Sequence, residues 1–342
     1  MLTSTGQAGQ ERQLEPRYRR ILSFGDVLDE SIGLYRGHWA TFALVSAICL
    51  LPPGVIQLMV TAGGVLDTRG LVGELATGDP QATINFYSRI AGPLLLLTFV
   101  AVFFALAWTA AVVVCTDTYL HGAQPELSAV AAHVLRRYVA VLLTGFCTLV
   151  GLVLITLAAG LLVAISVVLL PILVLETFAA IVGLCIWWFR PSARTTWLKW
   201  LIIVATPMGL MLYFFGTWSM AIIAVVLEPV GPLRALRRSM QLVDRHWFRT
   251  IGILVVAGLI VTLLQDVPAL LVQLPLTVLA FARGQTGLGP TEQAISVGAQ
   301  IVTEVLFASM SSIVYAMLFI DLRNRRDATD IAERVTQLEA NA

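Results

Sequence analysis

The chain has 342 residues, 58% of them hydrophobic and only 13% charged, with a mean hydropathy of +0.85. A soluble domain carries about 25% charged residues, so this apolar surplus has no globular core to fill and must face lipid. A net charge of +1, with Lys199 the sole lysine among 22 basic residues, gives no reason to expect nucleic acid or an acidic ligand.

Residues 1–20 form a polar tail without an apolar stretch before a cleavage site, so no removable signal peptide is expected. Residues 21–322 read as one helical membrane domain, and 323–342 as a basic, then polar, tail. A crossing helix needs roughly 20 mostly apolar residues. Uncharged stretches of that length run over 40–66, 90–116, 138–175 and 200–227. Two more, 250–274 and 293–320, each carry one acid. Bends are expected at Pro52-Pro53, Pro207 and Pro268. The expected fold is therefore an all-α polytopic bundle of about six transmembrane helices. One further hydrophobic segment, 165–189, has a path the sequence leaves open between spanning and re-entrant.

Orientation follows from arginine, which concentrates in cytoplasmic loops. With the N-terminus inside, sixteen of the 22 basic residues are cytoplasmic. The expected location is thus the cell (inner) membrane, crossed several times, with the N-terminus and C-terminus both cytoplasmic.

Three amphipathic stretches precede outgoing spans. The first, Ser23 to Trp39, opens with Ser23 and Asp26 spaced as a capping box. Val27, Leu28, Ile32 and Tyr35 then form an apolar face opposite Asp29, Glu30 and Arg36. The third, Gly231 to Trp247, places Leu233, Leu236, Met240, Val243 and Trp247 on one face and arginines on the other. Aligned without gaps, Leu28, Ser31, Leu34, His38 and Trp39 coincide with Leu236, Ser239, Leu242, His246 and Trp247. A weaker middle copy ends at Tyr138. Each incoming span ends at an acid, Asp117, Glu228 or Asp321. The chain reads as an internal repeat of three units, 22–117, 125–228 and 231–321, each opening on an interfacial helix.

The stretches LSFGDVLDESIGLYRGHW, WSMAIIAVVLEPVGPLRALRRSMQLVDRHWFRTIGI and MLFIDLRNRRDA, in that order, resemble the glycerophosphoryl diester phosphodiesterase membrane domain family. The resemblance implies a six-helix inner-membrane protein of unassigned biochemical role. Members with phosphodiesterase activity carry it in a separate soluble domain, and no His-Arg-Gly or paired-carboxylate pattern of that enzyme occurs here.

Ionisable groups within spans are costly and face a partner or a wet cavity. Glu176, Asp266 and Glu304 are the three candidates for an ion- or substrate-binding cluster, against the plainer reading that each touches headgroups or pairs with Arg283 or Arg89. Arg237, Arg238, Arg245, Arg323, Arg325 and Arg326 are candidates for contact with anionic lipid. Neither the four histidines nor the four cysteines show metal-ligand spacing. With no nucleotide loop or nucleophile elbow, no catalytic residue, metal or cofactor is expected. The functional expectation is a non-catalytic membrane protein engaging lipid, or an unidentified membrane protein partner, through its basic interfacial helices. The alternative is a transporter or permease for a small or lipid-like solute, which requires a polar cavity near the membrane midplane.

Overall fold

A computed structural model describes residues 21–63, 80–181, 209, 212–285 and 288–340. Among these, the ordered elements are all helices: α1 (Phe24–Ala62), α2 (Pro80–Leu120), α3 (Leu127–Ile181), α4 (Ala221–Leu227), α5 (Pro232–Val243), α6 (Trp247–Ala282), α7 (Pro290–Phe307) and α8 (Ser309–Ala340). A helical stretch, 212–218, leads into α4, and one 3₁₀ turn, Asp244–His246, joins α5 to α6. Among the described residues, five helical segments are long and apolar enough to cross a membrane. That length matters because a lipid core offers no water to unpaired backbone groups.

Local chemistry sets the starts of several helices. Ser23 Oγ accepts from Asp26 N at 3.1 Å, and Asp26 Oδ2 accepts from Ser23 N at 2.9 Å, completing the expected capping box. Pro232 and Pro290 open α5 and α7, where a missing N–H costs nothing. Pro52, Pro53 and Pro268 lie inside continuous helices. The non-helical residue in α1 is instead His38, at φ −133° and ψ 25°. His246, which caps α6, has nearly the same backbone at φ −128° and ψ 26°. These are the two histidines that the sequence aligns. The middle stretch differs, because α3 runs through Tyr138 without such a break. Pro207 lies outside the described residues.

Segment 165–189 also departs from a simple hairpin. Helix α3 continues unbroken to Ile181, so no re-entrant turn forms between 165 and 181, while 182–189 lie outside the described residues. Its 55 residues make it about 80 Å long, well beyond the roughly 45 Å of a bilayer with its headgroups.

The core is organised around α8. The most apolar part of the α7–α8 segment is 72% buried, against 11–28% for the other four, which identifies it as the axis of the bundle. Ile313, Val314, Ala316, Met317, Leu318, Phe319 and Leu322 are essentially sealed. They pack with Phe42 of α1, Val112 and Cys115 of α2, Val141 of α3, Ile223 and Val225 of α4 and Ile253 of α6. The outer helices turn Leu95, Phe99, Phe146, Leu157, Leu271 and Val278 outward, each more than 60% exposed. Bare apolar surface on this scale suits lipid rather than water.

Glycine permits two of the tightest approaches. A Cβ at Gly151 would come within 2.5 Å of the Trp218 ring, and one at Gly216 would collide with Ile251 and approach Trp247 Nε1 to 3.2 Å. Polar side chains add interhelical ties. Trp108 Nε1 donates to Ser46 Oγ at 3.0 Å, and Tyr119 Oη to Thr41 Oγ1 at 3.1 Å. The Tyr119 ring also stacks on His38 at 3.9 Å. Tyr35 Oη donates to the carbonyl of Leu306, next to the break between α7 and α8.

Candidate functional site

Polar side chains concentrate around three acids, Asp117, Glu228 and Asp321. Asp321, on α8, is fully buried. Its Oδ2 accepts from Arg249 Nη1 at 2.7 Å and from Arg325 Nε at 2.9 Å, and its Oδ1 accepts from the backbone N–H of Leu22 at 2.9 Å. Both guanidiniums donate onward to the carbonyl of Leu22. One carboxylate and two cations therefore clamp a single backbone unit just ahead of α1. The clamp joins the chain just ahead of α1 to the first turn of α6 and to α8.

The clamp carries one surplus positive charge, and His246 feels it. Desolvation first, then the charges of Arg325 and Arg249, hold its imidazole below the ordinary histidine range, although Asp321 opposes them.

Glu228, at the end of α4, forms a second node. Its carboxylate pairs with Arg238 of α5 at 3.3 Å, while Arg137 of α3 donates to its carbonyl and to that of Val225. His133 contacts the carbonyl of Val226 at 3.2 Å. Asp117 pairs with His121 one turn later, at 3.6 Å.

These nodes divide the six arginines expected to touch lipid. Arg238 and Arg325 are held by carboxylates, and Arg326 donates to the carbonyl of Gln241 at 2.9 Å. Arg245 is also engaged within the protein. Arg237 and Arg323 have no partner among the described residues, and neither does Arg234 of the same helix.

The surface of α5 sorts into three sides. Ala235, Ser239, Leu242 and Val243 are buried against the bundle. Leu233 and Met240 are bare, at 73% and 39% exposure. Arg234, Arg237 and Gln241 occupy the remaining exposed side. The expected apolar face thus splits, because only Val243 of its members is buried. In α1, Glu30 departs from its expected polar face: it is buried beside Val27 and Ser31 and engaged within the protein.

The three membrane acids fare differently. Asp266 of α6 and Glu304 of α7 are both exposed, with no hydrogen-bond or ion-pair partner among the described residues, on helices that pack together. The side chains of Glu176 and Arg89 lie outside the described residues. Arg283 pairs with Glu292 at 3.5 Å instead of a membrane acid. Among the described residues, no group of three His, Cys, Asp or Glu gathers to hold a metal ion.

Arg249, Arg137 and Leu22 were not singled out by the sequence. Arg249 follows the His-Trp pair by two residues and Arg137 precedes Tyr138, so a cation beside the aromatic head of a span was the available signal. Leu22 contributes only backbone and carries no side-chain signature.

Residues 52–322 match the family model described as Domain of unknown function (DUF7847). The chain belongs to this family. The DUF7847 match begins within α1, beyond the His38 bend, and ends one residue past Asp321. It does not identify the phosphodiesterase membrane domain family that the motifs resemble. No curated protein and no solved structure matches the chain.

Proposed function

We propose that this DUF7847 protein is a non-catalytic integral membrane protein that engages anionic lipid headgroups of one leaflet through α5 and the adjoining start of α8. The three-sided surface of α5 carries the reading. One side rests on the bundle, Leu233 and Met240 meet acyl chains, and Arg234 and Arg237 rise to headgroup level. An interfacial amphipathic helix lies in this way, with apolar area and basic charge sharing the binding. Arg323 adds a third guanidinium without a protein partner, and each basic residue near an anionic surface contributes about 1 kcal/mol. At the aligned bend in α1, Arg36 and Trp39 line an open groove of about 430 Å³, a pairing that suits the headgroup layer.

In this reading both termini are cytoplasmic and the membrane is the inner one. The chain comprises three units, each opening on an interfacial helix, and six crossings. Matching backbone angles at His38 and His246 support the repeat, as does the way each closing acid meets a basic group. The ordered motifs support kinship with the phosphodiesterase membrane domain family. An unidentified membrane protein would bind the same basic surface.

Thermal unfolding of the purified protein in dodecyl maltoside, with added phosphatidylglycerol or phosphatidylcholine, tests this reading. Phosphatidylglycerol should raise the midpoint and phosphatidylcholine should not. Replacing Arg234, Arg237 and Arg323 together by glutamine should remove most of the difference. Equal effects of the two lipids on the native protein would defeat the proposal.

A further inference from the structure

A cavity of about 290 Å³ opens between α2, α3, the 212–227 stretch and α8. The three incoming spans reach it at matching positions. Thr109 lies eight residues before Asp117, Ser219 nine before Glu228 and Ser312 nine before Asp321. At about 1.5 Å per residue this is roughly 12–14 Å from the ends that the acids mark, near the middle of a core about 30 Å thick.

The wall is polar but uncharged. Among the described residues it contains no Asp, Glu, Lys, Arg or His. Most of its hydroxyl protons are spent on the protein's own backbone: Thr109 donates to Ala105 O at 2.9 Å, Thr148 to Thr144 O at 2.8 Å, Ser219 to Gly216 O at 2.8 Å and Ser311 to Ala308 O at 2.7 Å. Three donors remain unspent, and one is Tyr315 Oη, which makes no hydrogen bond among the described residues. Trp218 Nε1 is buried without a partner, against the general rule that buried N–H groups find one. Ser312 is 3% exposed, and its hydroxyl makes no hydrogen bond among the described residues. Burial without a partner leaves the Trp218 N–H short by the free energy of a hydrogen bond, so it favours an acceptor that enters from outside, and the unspent Ser312 hydroxyl can add a second bond.

The shape indicates the route of entry. Ile223 and Ser312 form a sealed floor, at 1% and 3% exposure, whereas Phe215 on the wall is 45% exposed. Gly151 fixes the indole against α3, since a Cβ there would meet the ring.

We propose that the cavity is a binding site for an uncharged lipid whose carbonyl oxygen accepts from Trp218 Nε1 and Ser312 Oγ while its apolar body rests against Phe215 and Leu152. A charged molecule is excluded by the cost of bringing ions into an apolar site without a counter-charge. A phospholipid is excluded for a related reason: its headgroup stays at the surface and holds its ester carbonyls there. An acyl glyceride or an isoprenoid quinone, both uncharged and both carrying carbonyls, can sink to this depth. The site stands independently of the headgroup reading above, because it shares none of those arginines.

The full chain, reconstituted in phosphatidylcholine vesicles with a small fraction of diacylglycerol bearing an acyl-chain diazirine, provides the test. After irradiation, peptides spanning 212–227 and 309–322 should be labelled saturably. Unlabelled diacylglycerol should compete, whereas additional phosphatidylcholine should not. Trp218→Phe and Ser312→Ala, tested separately so that one poorly folding variant does not decide the outcome, should each lower that labelling about five-fold, the worth of one hydrogen bond. Labelling at lipid-facing Leu271 should stay unchanged. Competition by an isoprenoid benzoquinone at a lower concentration than diacylglycerol requires would support the carbonyl site and assign it to quinones. Labelling that rises linearly with probe fraction, or that saturates yet ignores both substitutions, overturns the proposal.

Discussion

Replacing Asp321 by asparagine probes the clamp that joins the two ends of the domain. Asparagine keeps an oxygen for the Leu22 N–H but removes the charge that Arg249 and Arg325 share. Breaking one partner of a buried ion pair costs about 3–5 kcal/mol. The carboxylate is fully buried while the two guanidiniums keep 20% and 19% of their surface, so solvent screens part of the exposed cations and the lower figure, about 3 kcal/mol, applies. That is a large part of the 5–15 kcal/mol that holds a typical domain folded. Unfolding by sodium dodecyl sulfate in dodecyl maltoside micelles, followed by tryptophan fluorescence, measures it. Adding Arg325→Met should cost less on the Asp321→Asn background than on the native one, with a coupling of about 1 kcal/mol or more. If Asp321→Asn destabilises no more than Arg237→Gln, whose side chain has no partner among the described residues, the clamp contributes nothing and the reasoning fails.

Three further outcomes follow from local geometry. Ser23→Ala should lower stability by about 1 kcal/mol in the same titration, the usual worth of a capping side chain; Ser128→Ala, at an exposed position on α3, provides the control. Gly216→Val should cost about 1–3 kcal/mol through overpacking against Ile251 and Trp247. Its signature would be a change in Trp247 emission. The native state holds the His246 imidazole below its ordinary range, so the unfolded chain binds its proton more readily and stability rises with pH in that interval. The contribution is complete above the ordinary histidine pKa of about 6.5 and is lost as pH falls through that value toward the lower native one. His246→Gln should flatten the stability profile below the ordinary histidine pKa of about 6.5, and an unchanged slope would count against the lowered imidazole.

Features set by neighbouring residues were legible in the sequence. The capping box at Ser23 needs only four consecutive residues, and the apolar lengths of the crossings follow from bilayer thickness alone. The His-Trp alignment pointed to two bends of the same shape, although prolines looked like the better bend formers and Pro52, Pro53 and Pro268 lie in unbroken helices. Which helix would sit at the centre was not legible, because hydropathy is similar in the buried α7–α8 segment and in the lipid-facing ones. The Asp321 clamp was hidden for another reason. It joins residues 72 and 299 positions apart, and one of them takes part only through its backbone. The arginines were recognised as a group, but the sequence could not divide them, since Arg237 and Arg238 are adjacent and their fates depend on which side of α5 meets Glu228.

Retention of lipid by the purified protein tests the central claim most directly. Native mass spectrometry of the chain extracted from membranes containing phosphatidylglycerol and phosphatidylethanolamine should show bound phosphatidylglycerol above its share of the membrane. The Arg234→Gln, Arg237→Gln, Arg323→Gln triple variant should lose that excess while unfolding at the same detergent concentration as the native protein. A native chain that retains the two lipids in the proportions of the membrane, or a triple variant that retains them as the native chain does, contradicts the account.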